Sequence, residues 1–159
     1  MTRPGPDEYA PFYASYIARV AEADVMGVLA AQPGELRTRL AALPRERETF
    51  RYADGKWSIR EMIGHLGDAE RVFGYRAFCF SRGEQAPLPS FDENQYVSAS
   101  RAGDVPLVAL AGEFAAVRES NLGFLRRLSD EAWTRTGTAS GKPVSVRALA
   151  WIMAGHPRH

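Results

Sequence analysis

Three histidines carry most of the chemistry open to this chain, and they are placed unevenly: His65 stands alone in the middle, while His156 and His159 close the sequence. Neutral imidazoles suit Zn, Ni, Fe or Cu, and three protein ligands with positions left open describe a catalytic rather than a structural site. A His-x-x-His pair is common, however, and a single inward histidine also suits a core position satisfied by a carbonyl or a neighbouring carboxylate. Glu61 and Asp68 flank His65 at i−4 and i+3, where either can orient the imidazole or act as a base on bound water; the alternative is a solvated helix edge paired with Arg60 and Arg71. Cys79, between Phe78 and Phe80, reads as a small inert hydrophobe. Tyr75 and Arg76 are placed to line a pocket for an anionic substrate, with nothing in the sequence to assign either a role.

The element that must position His65 is written plainly. Ser58 is a good N-cap, Glu61 three residues later completes a capping box, and Trp57 before the cap is placed to staple onto Met62. Ile59, Met62, Ile63, Leu66, Ala69, Val72, Phe73 and Ala77 then recur at helical period, which predicts a core helix from Ser58 to Arg82, ended by Gly83. His65 lies beside that stripe. The histidine pair follows the apolar Ala148, Leu149, Trp151 and Ile152 of a last helix capped by Ser145. Two further helices complete the pattern. One runs from Asp24 to Leu43 with a kink or break at Pro33; the other opens at Asp104 and Pro106 and runs to Leu128. A Ser129-capped turn carries Trp133, and residues 134–144 read as a tight, hairpin-like connection. Residues 84–106 form a long polar crossover loop between the second and third helices, and residues 1–11 a flexible arm, or a short helix, that settles where Tyr9, Phe12, Tyr13 and Tyr16 find apolar ground. Four periodic segments without alternating runs predict an all-α four-helix bundle, whose cofactor sites are built from inward side chains of facing helices.

With 159 residues, 45% of them hydrophobic, the chain suits a single domain. Its 20 basic and 19 acidic residues are interspersed to a net charge of +1, which excludes the basic field that binds nucleic acid. The single cysteine excludes an internal disulfide. No apolar run is long enough for a membrane span and no signal peptide begins the chain, so a cytoplasmic protein acting on a small molecule is expected.

The stretches GKWSIREMIGHLGDAERVFGYRAF, PLPSFDENQYV, EFAAVRESNLGFLRRLSDEAW and GTASGKPVSVRALAWIMAGHPRH together resemble the DinB-like superfamily, the DinB/YfiT-like metalloenzymes. That resemblance covers nearly the whole chain and implies an up-down-down-up bundle. Its metal site takes one histidine from the second helix and two from the last, so that by motif His65 and His156 are ligands. The third ligand of the pattern stands four residues after the second, at position 160, which implies that the native chain continues; His159 is the substitute within this sequence. The ion implied is Zn or Ni, with Fe or Mn as alternatives, and a homodimer is common in the superfamily. The activity implied is a metal-dependent transferase joining a low-molecular-weight thiol (bacillithiol, mycothiol or glutathione) to an electrophilic small molecule, or else a hydrolase. A non-catalytic, stress-related metal-binding or interaction protein is the alternative.

Overall fold

The structure, a computed structural model that describes all 159 residues, is mostly helical. Its elements in chain order are α1 (Ala14–Ala18), α2 (Val25–Ala41), α3 (Ile59–Ser81), α4 (Glu93–Ser100), α5 (Leu107–Leu125), α6 (Asp130–Thr134), β1 (Thr136–Ala139), β2 (Lys142–Ser145) and α7 (Val146–Gly155). The helices α2, α3, α5 and α7 form a bundle in which α3 and α2 each pack against both α5 and α7. Its sheet content is one antiparallel hairpin, with Thr136 opposite Ser145 and Ala139 opposite Lys142.

Local chemistry explains where α3 begins and ends. The Ser58 hydroxyl accepts from the Glu61 amide at 3.3 Å, and the Glu61 carboxylate accepts from the Ser58 amide at 2.6 Å, so two otherwise orphaned donors are satisfied reciprocally. The helix stops at Arg82, where Gly83 takes φ +85°, a left-handed conformation that costs glycine nothing. Because α3 is wedged between α5 and α7, its buried face is wide enough to include His65, Glu70 and Arg76 beside Ile63, Leu66, Ala69, Phe73 and Ala77. Met62 departs from the expected stripe and is 44% exposed. The helix α7 is buried on every side beyond Arg147: every residue from Ala148 to Gly155 is buried, and the main apolar core is built around it.

Three local expectations are corrected. Pro33 does not break α2, which runs unbroken to Ala41; the helix tolerates the proline because the carbonyl it orphans finds another donor, described below. The connection from 84 to 106 is ordered rather than structureless. Asp92 caps α4 by accepting from the amides of Asn94 and Gln95 at 2.9 and 3.0 Å, and Leu88 donates from its amide to Thr138 at 2.9 Å, which fastens the chain to the hairpin edge. Arg76 adds a strap from α3 by donating to the Pro89 carbonyl at 2.7 Å and to Ser140 at 3.0 Å. Residues 1–11 are not a loose arm either. Arg3 donates to the carbonyls of Ile17 and Val20, and Glu8 accepts from Arg147 at 2.5 Å and from Ser145 at 2.7 Å, so two charged side chains anchor a segment whose proline content alone suggested freedom.

Candidate metal centre

The α3 and α7 helices bring His65 and His156 face to face, with their Nε2 atoms 3.1 Å apart and their ring centroids 5.0 Å apart. A close backbone approach fixes the end of α7. Gly155 lies so near the Tyr16 carbonyl that a Cβ there would collide with it, which presses α1 onto the turn that carries His156. Aromatic rings close the sides: Trp57 lies 4.8 Å from the His65 ring, and Tyr16 and Phe73 lie 5.3 and 5.9 Å from the His156 ring. Trp57, expected to pack on Met62, thus also contributes a wall of this site.

Electrostatics keep both imidazoles neutral. Burial pushes the His65 pKa down against the opposing pull of Glu93 and Asp68. Burial, followed by the charges of His65, His159 and Arg118, pushes His156 down to about 3. At neutral pH, therefore, both rings keep a lone pair. In a neutral pair one Nε2 carries the proton shared between the rings, and whichever way it is arranged the buried Nδ1 of His65 has no hydrogen-bond partner. The Nε1 of Trp151, in the main core, is unsatisfied in the same way, so the orphaned nitrogen is a local cost and the facing Nε2 atoms are what points to a ligand. Two facing nitrogens 3.1 Å apart also fit a pair of ligands each about 2.1 Å from one ion.

The other candidates are placed clearly. His159 stacks edge-on against Tyr16 at 4.7 Å and is exposed, and no third His, Cys, Asp or Glu joins His65 and His156 in one cluster. Glu61 is committed to the Ser58 cap and to Arg51 at 2.6 Å; burial opposes its ionisation, but hydrogen bonds from Arg51 and Ser58 bring it down to about 2, too acidic for a base near neutral pH. Asp68 lies 3.8 Å from Arg71 and its carboxyl is raised, by burial first and by Glu113. Neither carboxylate orients the His65 ring, since its Nδ1 is unpartnered. Cys79 is half-buried and packs on the main core, and Arg76 is spent on its strap.

A second buried polar cluster lies behind His156, and sequence reading missed it. The fully buried Arg118 of α5 forms a forked pair with Glu70 of α3, Nε to Oε1 at 2.8 Å and Nη2 to Oε2 at 2.9 Å. It also donates to the carbonyls of Leu29 and Met153, each at 3.1 Å. Each of these carbonyls stands four residues before a proline, Pro33 and Pro157, and a proline has no N–H to give it. The guanidinium supplies the two missing donors. Gln32 accepts from Arg118 at 2.7 Å and donates to the Ala154 carbonyl at 2.5 Å, while Asn121 donates to Glu70 at 2.8 Å. The signal that could have found the cluster is the pair of prolines, each sitting four residues after an apolar residue within a helical pattern.

Comparisons with known proteins bear on the family and the fold. The model of the DinB superfamily matches residues 29–159. The solved structure of YfiT from Bacillus subtilis, described as a probable metal-dependent hydrolase with an unusual four-helix bundle topology, superposes with a TM-score of 0.76 at 17% identity, over 96% of this chain and 87% of that one. A mycothiol-dependent maleylpyruvate isomerase superposes with a TM-score of 0.67 at 14% identity over 87% of this chain. This chain spans only 58% of that isomerase. At such identities the likeness bears on the fold. No curated protein matches the chain.

Proposed function

The chain belongs to the DinB superfamily, and from that premise we propose that it is a metal-dependent enzyme joining a low-molecular-weight thiol to an electrophilic small molecule, with His65 and His156 as ligands to a divalent transition metal such as Zn or Ni. The observation that carries the reading is the 3.1 Å approach of two neutral imidazole nitrogens, one from α3 and one from the end of α7. The up-down-down-up chain path belongs to the same reading, as does a homodimer. His159 is the one remaining histidine; a role as third ligand requires its ring to leave Tyr16.

When bound, the ion supplies Lewis acidity that lowers the pKa of a coordinated thiol or water. The chain's own residues do the rest. His65 and His156 present lone pairs at neutral pH because burial disfavours their protonated forms. Trp57, Tyr16 and Phe73 surround them with rings that exclude water and lower the local dielectric. In the transfer the thiol sulfur forms a bond to the acceptor's electrophilic carbon, the leaving group departs with its bonding pair, and the thiol proton passes to solvent. The description of one structural neighbour as mycothiol-dependent, and of the other as metal-dependent, supports this class.

The test is a conjugation assay with 1-chloro-2,4-dinitrobenzene and, in turn, glutathione, bacillithiol and mycothiol, with and without added Zn or Ni. Metal-dependent chloride release that His65→Gln abolishes is expected. Tight metal binding without transfer from any thiol or hydrolysis of an ester substrate would favour the non-catalytic, metal-binding alternative.

A further inference from the structure

Trp57 belongs to two neighbourhoods. Its ring lies 4.8 Å from His65, and it also lines a cleft of about 280 Å³ together with Tyr52, Gly55, Lys56, Met62 and Asn94. We infer that this cleft is the subsite for the electrophilic acceptor, and that it selects a small compound with a flat or apolar body and a carboxylate.

The apolar half of the inference rests on exposure. Tyr52 is 69% exposed and Met62 44%, and both line this cleft beside the Trp57 ring. Apolar surface held in water costs about 25 cal/mol per Å², and a flat ligand laid across Tyr52, Trp57 and Met62 recovers it. A cleft of this size lies at the lower end of small-molecule sites, which limits the occupant to about one ring.

The anionic half rests on charge. Lys56 is the one formally charged side chain lining the cleft. Its ammonium group sits 6.0 Å over the Tyr52 ring and pairs with no carboxylate, whereas the nearby Arg51 is neutralised by Glu61 at 2.6 Å. Asn94 adds amide donors at the same wall. Asp54 and Glu93 adjoin Gly55 and Asn94 in the chain, yet neither lines the cleft. A lone cation beside amide donors and three apolar side chains complements a single carboxylate on a hydrophobic body. A larger cleft, about 450 Å³ between α2 and the Pro157 turn, is lined by charges of both signs, Glu35, Arg39 and Arg158; neither cleft is lined by His65 or His156 themselves, but the smaller one is walled by Trp57, whose ring lies against His65.

The assignment of an acceptor rests on the transferase reading, but the binding preference does not. Phenylacetate and its uncharged counterpart phenylacetamide are titrated by calorimetry into chelator-treated protein at pH 7, where neither metal nor turnover is needed. Phenylacetate is expected to bind about 3- to 10-fold more tightly. Lys56→Gln, a change at an exposed side chain, removes that difference, and Trp57→Leu weakens both probes alike. Equal affinity for the two probes, or a preference that survives Lys56→Gln, overturns the inference. A preference without any thiol transfer leaves the subsite standing and counts against the transferase alone. Metal-dependent transfer without the preference does the reverse.

Discussion

Two buried polar clusters sit back to back in this bundle, and they are built on opposite principles. Around Arg118 the polar groups are matched: the guanidinium meets Glu70, Gln32 and two carbonyls stripped of donors by prolines, and Asn121 completes the carboxylate. Around His65 and His156 the matching is incomplete: two neutral rings share one proton between their facing nitrogens, and the buried Nδ1 of His65 has no partner. A satisfied network holds helices in register; an unsatisfied one in an otherwise well-packed core is tolerated at a cost, and sites that bind ligands are where such costs are found. The closed cluster also supports the open one, because Arg118 and Gln32 grip the carbonyls of Met153 and Ala154, just before His156.

The sharpest way to break that contrast is to remove one partner of the closed cluster. Arg118→Met leaves Glu70 as an uncompensated buried charge and frees two carbonyls, and should cost about 3–5 kcal/mol in urea unfolding. Replacing Glu70 with leucine in the same chain should recover part of the loss. A cost below about 1 kcal/mol for Arg118→Met would mean that the cluster is not closed in the sense described.

Next in size is acid sensitivity. His156 takes up a proton near pH 6.5 when unfolded but only near 3 when folded, so the unfolded state binds more protons in between and stability falls as pH drops through that window. The expected loss by pH 4 is about 1–3 kcal/mol relative to neutral pH. His156→Gln should flatten the curve; an unchanged curve would show that the ring is not held neutral by the fold. Metal binding, which needs both rings deprotonated, should persist below the pH where a free histidine would release an ion.

A change of comparable size tests how the open site is held. Gly155→Ala forces a Cβ against the Tyr16 carbonyl and should cost about 1–3 kcal/mol while displacing the His156 turn. The smallest effect belongs to Ser58→Ala, which removes one cap bond of α3 and should cost about 1 kcal/mol without altering the histidine pair. Denaturant midpoints read both.

How much of this was legible in the sequence follows the same division. The capping box at Ser58, the Asp24, Ser129 and Ser145 caps and the glycine stop at Gly83 depend on neighbours in the chain, so they could be read from it. The approach of His65 to His156 was also foreseeable, because both stand beside apolar stripes that must face one core. The Arg118 cluster was hidden because Glu70 and Arg118 look like members of solvated helix faces until a third helix covers them. Pro33 misled for the same reason: the donor that replaces its missing N–H, Arg118, lies 89 residues downstream of the Leu29 carbonyl that receives it. The crossover was read as loop although Asp92 is a good cap, since α4 buries only Val97 and leaves little periodic signal.

The most direct measurement is a calorimetric titration of Zn and Ni at pH 7 into the wild-type chain, His65→Gln, His156→Gln and His159→Gln, after chelator treatment. One ion per chain is expected, with affinity lowered about 100-fold or more by either His65→Gln or His156→Gln, while all four proteins retain the same helical content. Equal affinity in the wild type and in both of those variants would contradict the account, and would make the facing imidazoles a feature of packing rather than a metal centre.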